Sequence, residues 1–329
     1  MEFILEKLQK KQPRKRFSLA VPWFSRRRKD TLARQSMGLL ARASVLLVFV
    51  IAVVLLIRTW PILKDIPLGE LILSSTWHPL KGAFGFYPFI MGTLFVTGIA
   101  MLIAVPPSLL TAIYLAEYAS NRIRGIAKPL IDLLAGIPSV VYGVWGILTV
   151  VPFIGQTVAP LSNKWLGFIP LFSTENFTGY GLLAGGVVLA VMIFPIIIAV
   201  TDEVILAVPN GLREASLALG ATRWQTIKSV ILRKAWPGVI AAVVLGLSRA
   251  FGETMAVMMV VGNVAVVPES IFDPAYPLTA LIANNYGEMM SIPLYDAALM
   301  GGALILLLIV FMFNIASRLV LVRAVRNAQ

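Results

Sequence analysis

The chain has 329 residues, of which 58% are hydrophobic and only 13% charged. A soluble protein of this length rarely reaches that balance. The formal charge of +12 invites nucleic acid as a partner, but the way the charge is distributed argues against it. There is no cysteine, which excludes disulfides, thiol catalysis and cysteine-ligated metals.

Residues 1–36 read as a basic N-terminal segment. Up to Arg42 the chain carries 12 of its 28 Lys and Arg residues. Phe17, Trp23 and Phe24 are mixed among them. That mixture suits an anionic lipid surface, where each basic residue contributes about 1 kcal/mol; a solvated tail is the alternative. Arg26-Arg27-Arg28-Lys29 superficially resembles a twin-arginine signal. However, Arg58-Thr59-Trp60-Pro61 stands where a small-residue cleavage site would be needed, so an uncleaved anchor is expected.

Six apolar runs follow, at about Met37–Ile57, Phe89–Leu115, Leu130–Phe153, Tyr180–Val200, Gly238–Val261 and Tyr295–Leu319. Each is long enough to span a hydrocarbon core of roughly 30 Å. With no water available there, each must satisfy its own backbone, so each is expected to be a helix. The expected fold is all-α and polytopic, with six transmembrane helices. The alternating loops divide the basic residues into 23 on one side and 4 on the other, with Arg249 inside a span. The positive-inside rule then places both termini in the cytoplasm. The basic excess is a topology signal, and no nucleic-acid partner is expected.

Pro106-Pro107, Pro138 and Pro195 interrupt spans two, three and four, and each is expected to kink its helix. Gly143, Gly146, Gly181, Gly185, Gly186, Gly246 and Gly252 allow close helix approach. Asp132 follows Pro129, a good first-turn residue. There its carboxylate would be stabilised by the helix dipole, a structural reading preferred over a transport role. Trp60 to Pro88 and Ile154 to Gly179 read as long outside loops. Trp77, Trp165, Phe168 and Phe172 on them form an interfacial aromatic belt. His78, the only histidine, is given no role.

The longest inside loop, Thr201 to Pro237, is expected to form a projecting helix–turn–helix. Pro209-Asn210-Gly211 breaks the chain, and a short helix carries Glu214, Ala215 and Ser216. Gly220 supplies a left-handed cap. Thr222 and Gln225 form a capping box for a second helix. Trp224, Ile227 and Ile231 give that helix a face to bury.

Arg249 and Glu253 lie inside the fifth run. A charge at the bilayer centre costs roughly 2.5–3.5 kcal/mol on insertion scales, so such residues face a bundle interior or a watery path. Their i,i+4 spacing places them on one face of a continuous helix. That face lines a polar route, or else the two form an ion pair that only locks packing.

Glu214-Ala215-Ser216-x-x-x-Gly220 resembles the "EAA" loop of ABC importer permeases, which docks into a groove on a cytoplasmic ATPase. The usual continuation ends in proline; here Val230-Ile231-Leu232-Arg233 lacks it, and Pro237 comes later. The run from Gly246 to Val257 resembles the fifth-span signature of phosphate permease subunits of the PstC type. Ile131 to Gly146 resembles their third span. The likeness covers roughly residues 37–320. It implies a type I ABC importer permease fold, with a permease domain over 37–320, a coupling loop over 201–237 and a cytoplasmic tail over 321–329. It also implies a multi-pass protein of the cytoplasmic (inner) membrane. The partners implied are a PstA-type permease, a dimer of PstB-type ATPases and a PstS-type phosphate-binding protein. Arg249 and Glu253 would then line the phosphate path, and Glu214, Ala215 and Gly220 would couple to the ATPase. The chain carries no P-loop. No catalytic residue, metal or cofactor is therefore expected on it, ATP and Mg being held by the partner chains. A permease for sulfate or molybdate, and a membrane sensor or scaffold for phosphate signalling, are the alternatives.

Overall fold

The computed structural model describes residues 26–289, 291–292 and 294–328. Residues 1–25 of the basic segment lie outside them. The contacts divide the chain into two units at Val53 and Val54. In the first, residues 26–53 are helical and expose their apolar side chains, Leu46, Leu47 and Phe49 among them. They belong to helix α1, Arg26–Asp65, whose 40 residues extend about 60 Å at 1.5 Å per residue.

The second unit begins with the end of α1. Ile62 there is fully buried with Leu71, Phe84, Phe86, Phe89, Leu278 and Tyr295. Leu71 comes from the short helix α2, Leu68–Leu73. Phe84 comes from a two-residue hairpin, β1 Trp77–His78 against β2 Ala83–Phe84. Trp77 stacks edge-on against Phe89, with ring centroids 4.7 Å apart. Such aromatic pairs add about 0.5–1.5 kcal/mol beyond their buried area. The segment from Trp60 to Pro88 is thus a folded cap.

Helix α3, Tyr87–Tyr118, passes Pro106-Pro107 unbroken and ends in a π turn over Tyr114–Tyr118. The third run differs from its expected form. Helix α4, Asn121–Ala135, ends at Gly136, and helix α5, Ser139–Leu166, starts afresh after Pro138. Proline disfavours helical geometry in the residue before it and removes a donor. The Tyr142 hydroxyl donates to the Leu134 carbonyl at 2.8 Å, which satisfies a group at the break. Asp132 therefore sits in the last turn of α4 and is exposed. The first-turn reading of Asp132 is corrected, because Pro129 lies inside α4 and does not start it. Residues 154–166, expected as loop, continue α5 through a π turn over Ile154–Val158.

Helix α6, Leu182–Leu206, is the axis of the unit and carries Pro195 without a break. Its fully buried Val188, Ala190, Met192, Ile193 and Ile197 form the main core with parts of α3 and α5. A Cβ on Gly186 would stand 2.4 Å from Ile99 Cγ2, so the close approach expected of the small residues is real there. The first N–H groups of α6 have no side-chain cap. They donate instead to the carbonyls of Asp273 and Ile271, which answers the orphan donors of a helix start.

Helix α7, Asn210–Ala218, leads to α8, Arg223–Gly252. Glu253 then turns extended, and α9, Met255–Val260, follows. The fifth span is therefore broken, where one continuous helix was expected. Helices α10, Leu278–Asn285, and α11, Tyr295–Ala328, complete the chain. Phe251 and Phe313 join α8 to α11, with centroids 4.8 Å apart. Among the described residues six helices are long and apolar enough to cross a membrane, as the six runs predicted.

Candidate functional site

The loop between α6 and α8 forms as its residues dictate. Leu219 ends α7, and Gly220 adopts φ +86°. The Ala221 N–H reaches the Ser216 carbonyl at 3.3 Å and the Gly220 N–H reaches Leu217 at 3.0 Å. Those two bonds are the Schellman closure of a helix end. Thr222 and Gln225 then make a reciprocal capping box, with bonds of 3.3 and 2.8 Å. The Ser216 and Thr226 hydroxyls meet at 2.9 Å across the reversal.

Glu214, Ala215 and Gly220 all stand on the exposed side of this knob. Leu217 and Leu219 beside them are exposed as well, Leu219 to 90%. The expected buried face of α8 needs correction at one position. Ile227 and Ile231 are buried, but Trp224 is 52% exposed. A π turn over Ile227–Ile231 shifts the helical phase there. The knob thus presents an apolar rim around an exposed carboxylate.

Sequence reasoning missed the side chains that hold this end together. Arg124 Nη2 on α4 donates to both carboxylate oxygens of Asp202 on α6, at 2.9 and 2.8 Å. Lys128 approaches the same carboxylate at 3.6 Å. Arg213 on α7 binds Glu117 in the last turn of α3 through Nε at 3.1 Å and Nη2 at 2.8 Å. Arg223 reaches the Glu117 carbonyl and lies 4.8 Å over the Tyr118 ring. The available signal was three carboxylates, Glu117, Asp202 and Glu203, at the ends of apolar runs, where acids are scarce.

In the membrane segment the structure separates the two charges that their spacing had paired. Arg249 belongs to the last turn of α8 and is exposed on this chain. Glu253 has left the helix, at φ −72° and ψ 131°. Its Oε1 accepts the Ala256 N–H at 3.1 Å and so caps α9. Its carbonyl accepts the Thr279 hydroxyl at 3.0 Å. Among the described residues no ion pair joins Arg249 to Glu253. The shared-face reading is corrected, because i,i+4 neighbours face each other only where the helix continues. Arg249 thus stands just before the helix break at Glu253–Thr254.

At the end of the unit away from Gly220, a polar recess of about 730 Å³ is lined by Asn163, Glu175, Glu269 and Asp273 among others. Its charged lining is acidic, so it does not suit an anion.

Residues 108–326 match the family described as binding-protein-dependent transport system inner membrane component. The chain belongs to that family. The phosphate transport system permease protein PstC of Haemophilus influenzae is 37% identical to this permease over 297 residues, 89% of this chain and 93% of that one. The probable ABC transporter permease protein YqgH of Bacillus subtilis is 42% identical over 76% of each chain. An inward-facing structure of the MetNI methionine ABC transporter covers 71% of this permease and 93% of its own chain, with a TM-score of 0.51 at 22% identity. The fold is the type I ABC importer permease fold, and the protein is a multi-pass component of the inner membrane. It is a permease subunit of an ABC transporter.

Proposed function

We propose that this permease moves inorganic phosphate inward by alternating access, driven by ATP on partner chains. The observation that carries the reading is the exposed Arg249 in an apolar helix, just before the helix break at Glu253. It is supported by likeness to a protein named for phosphate transport over nearly the whole chain. An arginine in hydrocarbon is costly unless it faces protein or water. Arg249 turns away from this chain's own core, so a second permease of the PstA type completes the path around it. The guanidinium draws the anion by charge-assisted hydrogen bonds. Glu253 acts in the same path by holding the break that follows, through its cap on α9. A PstS-type binding protein delivers phosphate at the hairpin end. Glu214, Ala215 and Gly220 dock on a dimer of PstB-type ATPases, which hold ATP and Mg. Both termini are cytoplasmic, as the bias of Lys and Arg requires. No cofactor is assigned to this chain.

The test is uptake of labelled phosphate by vesicles containing the complete complex, with sulfate and molybdate as competitors. Uptake that needs ATP and resists a large excess of both competitors is the expected result. Efficient competition by sulfate or molybdate would reassign the substrate.

A further inference from the structure

Arg213 does more than pair with Glu117. Its Nη2 also donates to the Ile205 carbonyl at 2.8 Å, and its Nη1 to Asn210 Oδ1 at 3.2 Å and to the Val208 carbonyl. The Ile205 carbonyl lies in the last turn of α6, where helix acceptors have no intrahelical donors, and Val208 lies in the link to α7. One planar guanidinium therefore joins the end of α3, the end of α6 and the start of α7. Its side chain is 17% exposed and that of Glu117 is 9% exposed. Arg223, at the first turn of α8, adds its bond to the Glu117 backbone. Glu117 is the point at which α3, α7 and α8 meet through polar contacts.

These contacts differ in kind from the packing beside them. Leu109, Ile113 and Ala116 of α3 rest on an apolar cluster of Ile205, Ile227 and Ile231. Apolar contact is non-directional and lets helices slide. Two guanidinium N–H groups converging on the single oxygen Glu117 Oε1 are directional, charge-assisted bonds that fix orientation as well as distance. The covalent chain ties α7 to α6 through residues 207–209 and to α8 through residues 219–222. Nothing covalent ties α7 to α3. Immediately along the bundle, moreover, α3 and α8 are parted by a recess of about 350 Å³ lined by Pro106, Leu109, Ile113, Leu232 and Trp236. Two buried hydroxyls, Ser108 on α3 and Thr201 on α6, have no partner in this part of the bundle. Helix α3 has room to shift there.

We infer that the Glu117–Arg213 pair is the rigid tie that carries displacement of the coupling helix α7 into the transmembrane helix α3. The inference rests on the reading that α7 docks on an ATPase. Glu117 is thus a positioning residue: it touches neither substrate nor nucleotide. Weakening the pair leaves the knob and its exposed face in place but lets α7 move without α3. ATP is then spent with little transport.

The experiment uses the complete complex in vesicles and reads phosphate taken up per ATP hydrolysed. Glu117→Gln keeps the shape and one acceptor but removes the charge. The expected result is a complex that retains its ATPase through purification while uptake per ATP falls about tenfold. Glu117→Asp, which keeps the carboxylate, should recover a substantial part of that ratio. A merely structural pair would lower the yield or thermal stability of the complex without moving the ratio. An unchanged ratio for Glu117→Gln overturns the inference. A second variant covers the case in which Glu117→Gln does not assemble. The chain has no cysteine, so Glu117→Cys with Arg213→Cys can be joined by a short thiol-specific linker. Uptake per ATP should be low before linking and recover at least fivefold after it, and equal ratios in the two states overturn the inference. The docking reading is tested apart, by thiol crosslinking of Glu214→Cys to the ATPase in an otherwise unaltered complex. Failure of that crosslink removes the docking reading, whereas a good crosslink with an unmoved ratio removes only the tie.

Discussion

Gly220 offers the sharpest test of the coupling loop. Its φ of +86° is one that side chains with a Cβ adopt at a cost of roughly 1–2 kcal/mol. A Cβ built there meets no atom within 4 Å, so no clash adds to that cost. The effect is purely conformational and can be ranked. Asparagine, which tolerates this region, should behave nearly as glycine does. Alanine should cost about 1 kcal/mol, and valine, branched at Cβ, about 2 kcal/mol or more. Those costs reduce the native reversal relative to its unwound alternatives by about 5-fold and about 30-fold. Both Schellman bonds, Ala221 to Ser216 and Gly220 to Leu217, would open with it. The assay is ATPase activity of the reconstituted complex with and without the loaded binding protein. Stimulation should follow the order glycine, asparagine, alanine, valine. Because the site is open to solvent, the stability of the isolated subunit should change far less than stimulation does. Full stimulation with Gly220→Val in a properly assembled complex would refute the argument that this reversal transmits the stroke.

Four further outcomes are expected. Arg249→Gln should leave the complex assembled and reduce phosphate uptake at least tenfold. Glu253→Gln keeps an acceptor for the Ala256 N–H and should cost less than threefold, whereas near-normal uptake by the double variant Arg249→Met with Glu253→Met would remove Arg249 from the path. Asp202→Asn leaves Arg124 and Lys128 without their shared carboxylate; breaking a buried pair costs about 3–5 kcal/mol, less here because Arg124 is 25% exposed, and thermal unfolding in detergent should fall well below that of the parent. Deleting Met1–Gln35 behind a new start codon should preserve orientation and uptake, since Arg42 and the other basic loops remain, and loss of both with normal insertion would make the segment integral.

Much of this protein was legible along the chain because the membrane imposes local rules. Each span must satisfy its own backbone, so length and apolarity alone located six helices. Gly220, Thr222 and Gln225 act within a few residues of themselves, and the loop they build is the one their chemistry predicts. What failed was the placing of helix ends: the third and fifth runs break where continuity was expected, and residues 154–166, expected as loop, stay helical. Proline at 138 was visible, but whether it would kink or break the helix depended on Tyr142 being placed to serve the Leu134 carbonyl. The Pro106-Pro107 pair, by contrast, sits in an unbroken helix. At Glu253 the helix stops although no proline marks the place. Its freed carbonyl is met by Thr279, 26 residues away in sequence. That partner compensates the break, and only the packing of α10 brings it there. The separation of Arg249 from Glu253, and with it the identity of the charge left facing outward, was decided by tertiary contacts. The pairs Glu117–Arg213 and Arg124–Asp202 span 96 and 78 residues. No periodicity records such partners, because a buried charge is stabilised by whatever the fold places beside it and not by its neighbours along the chain.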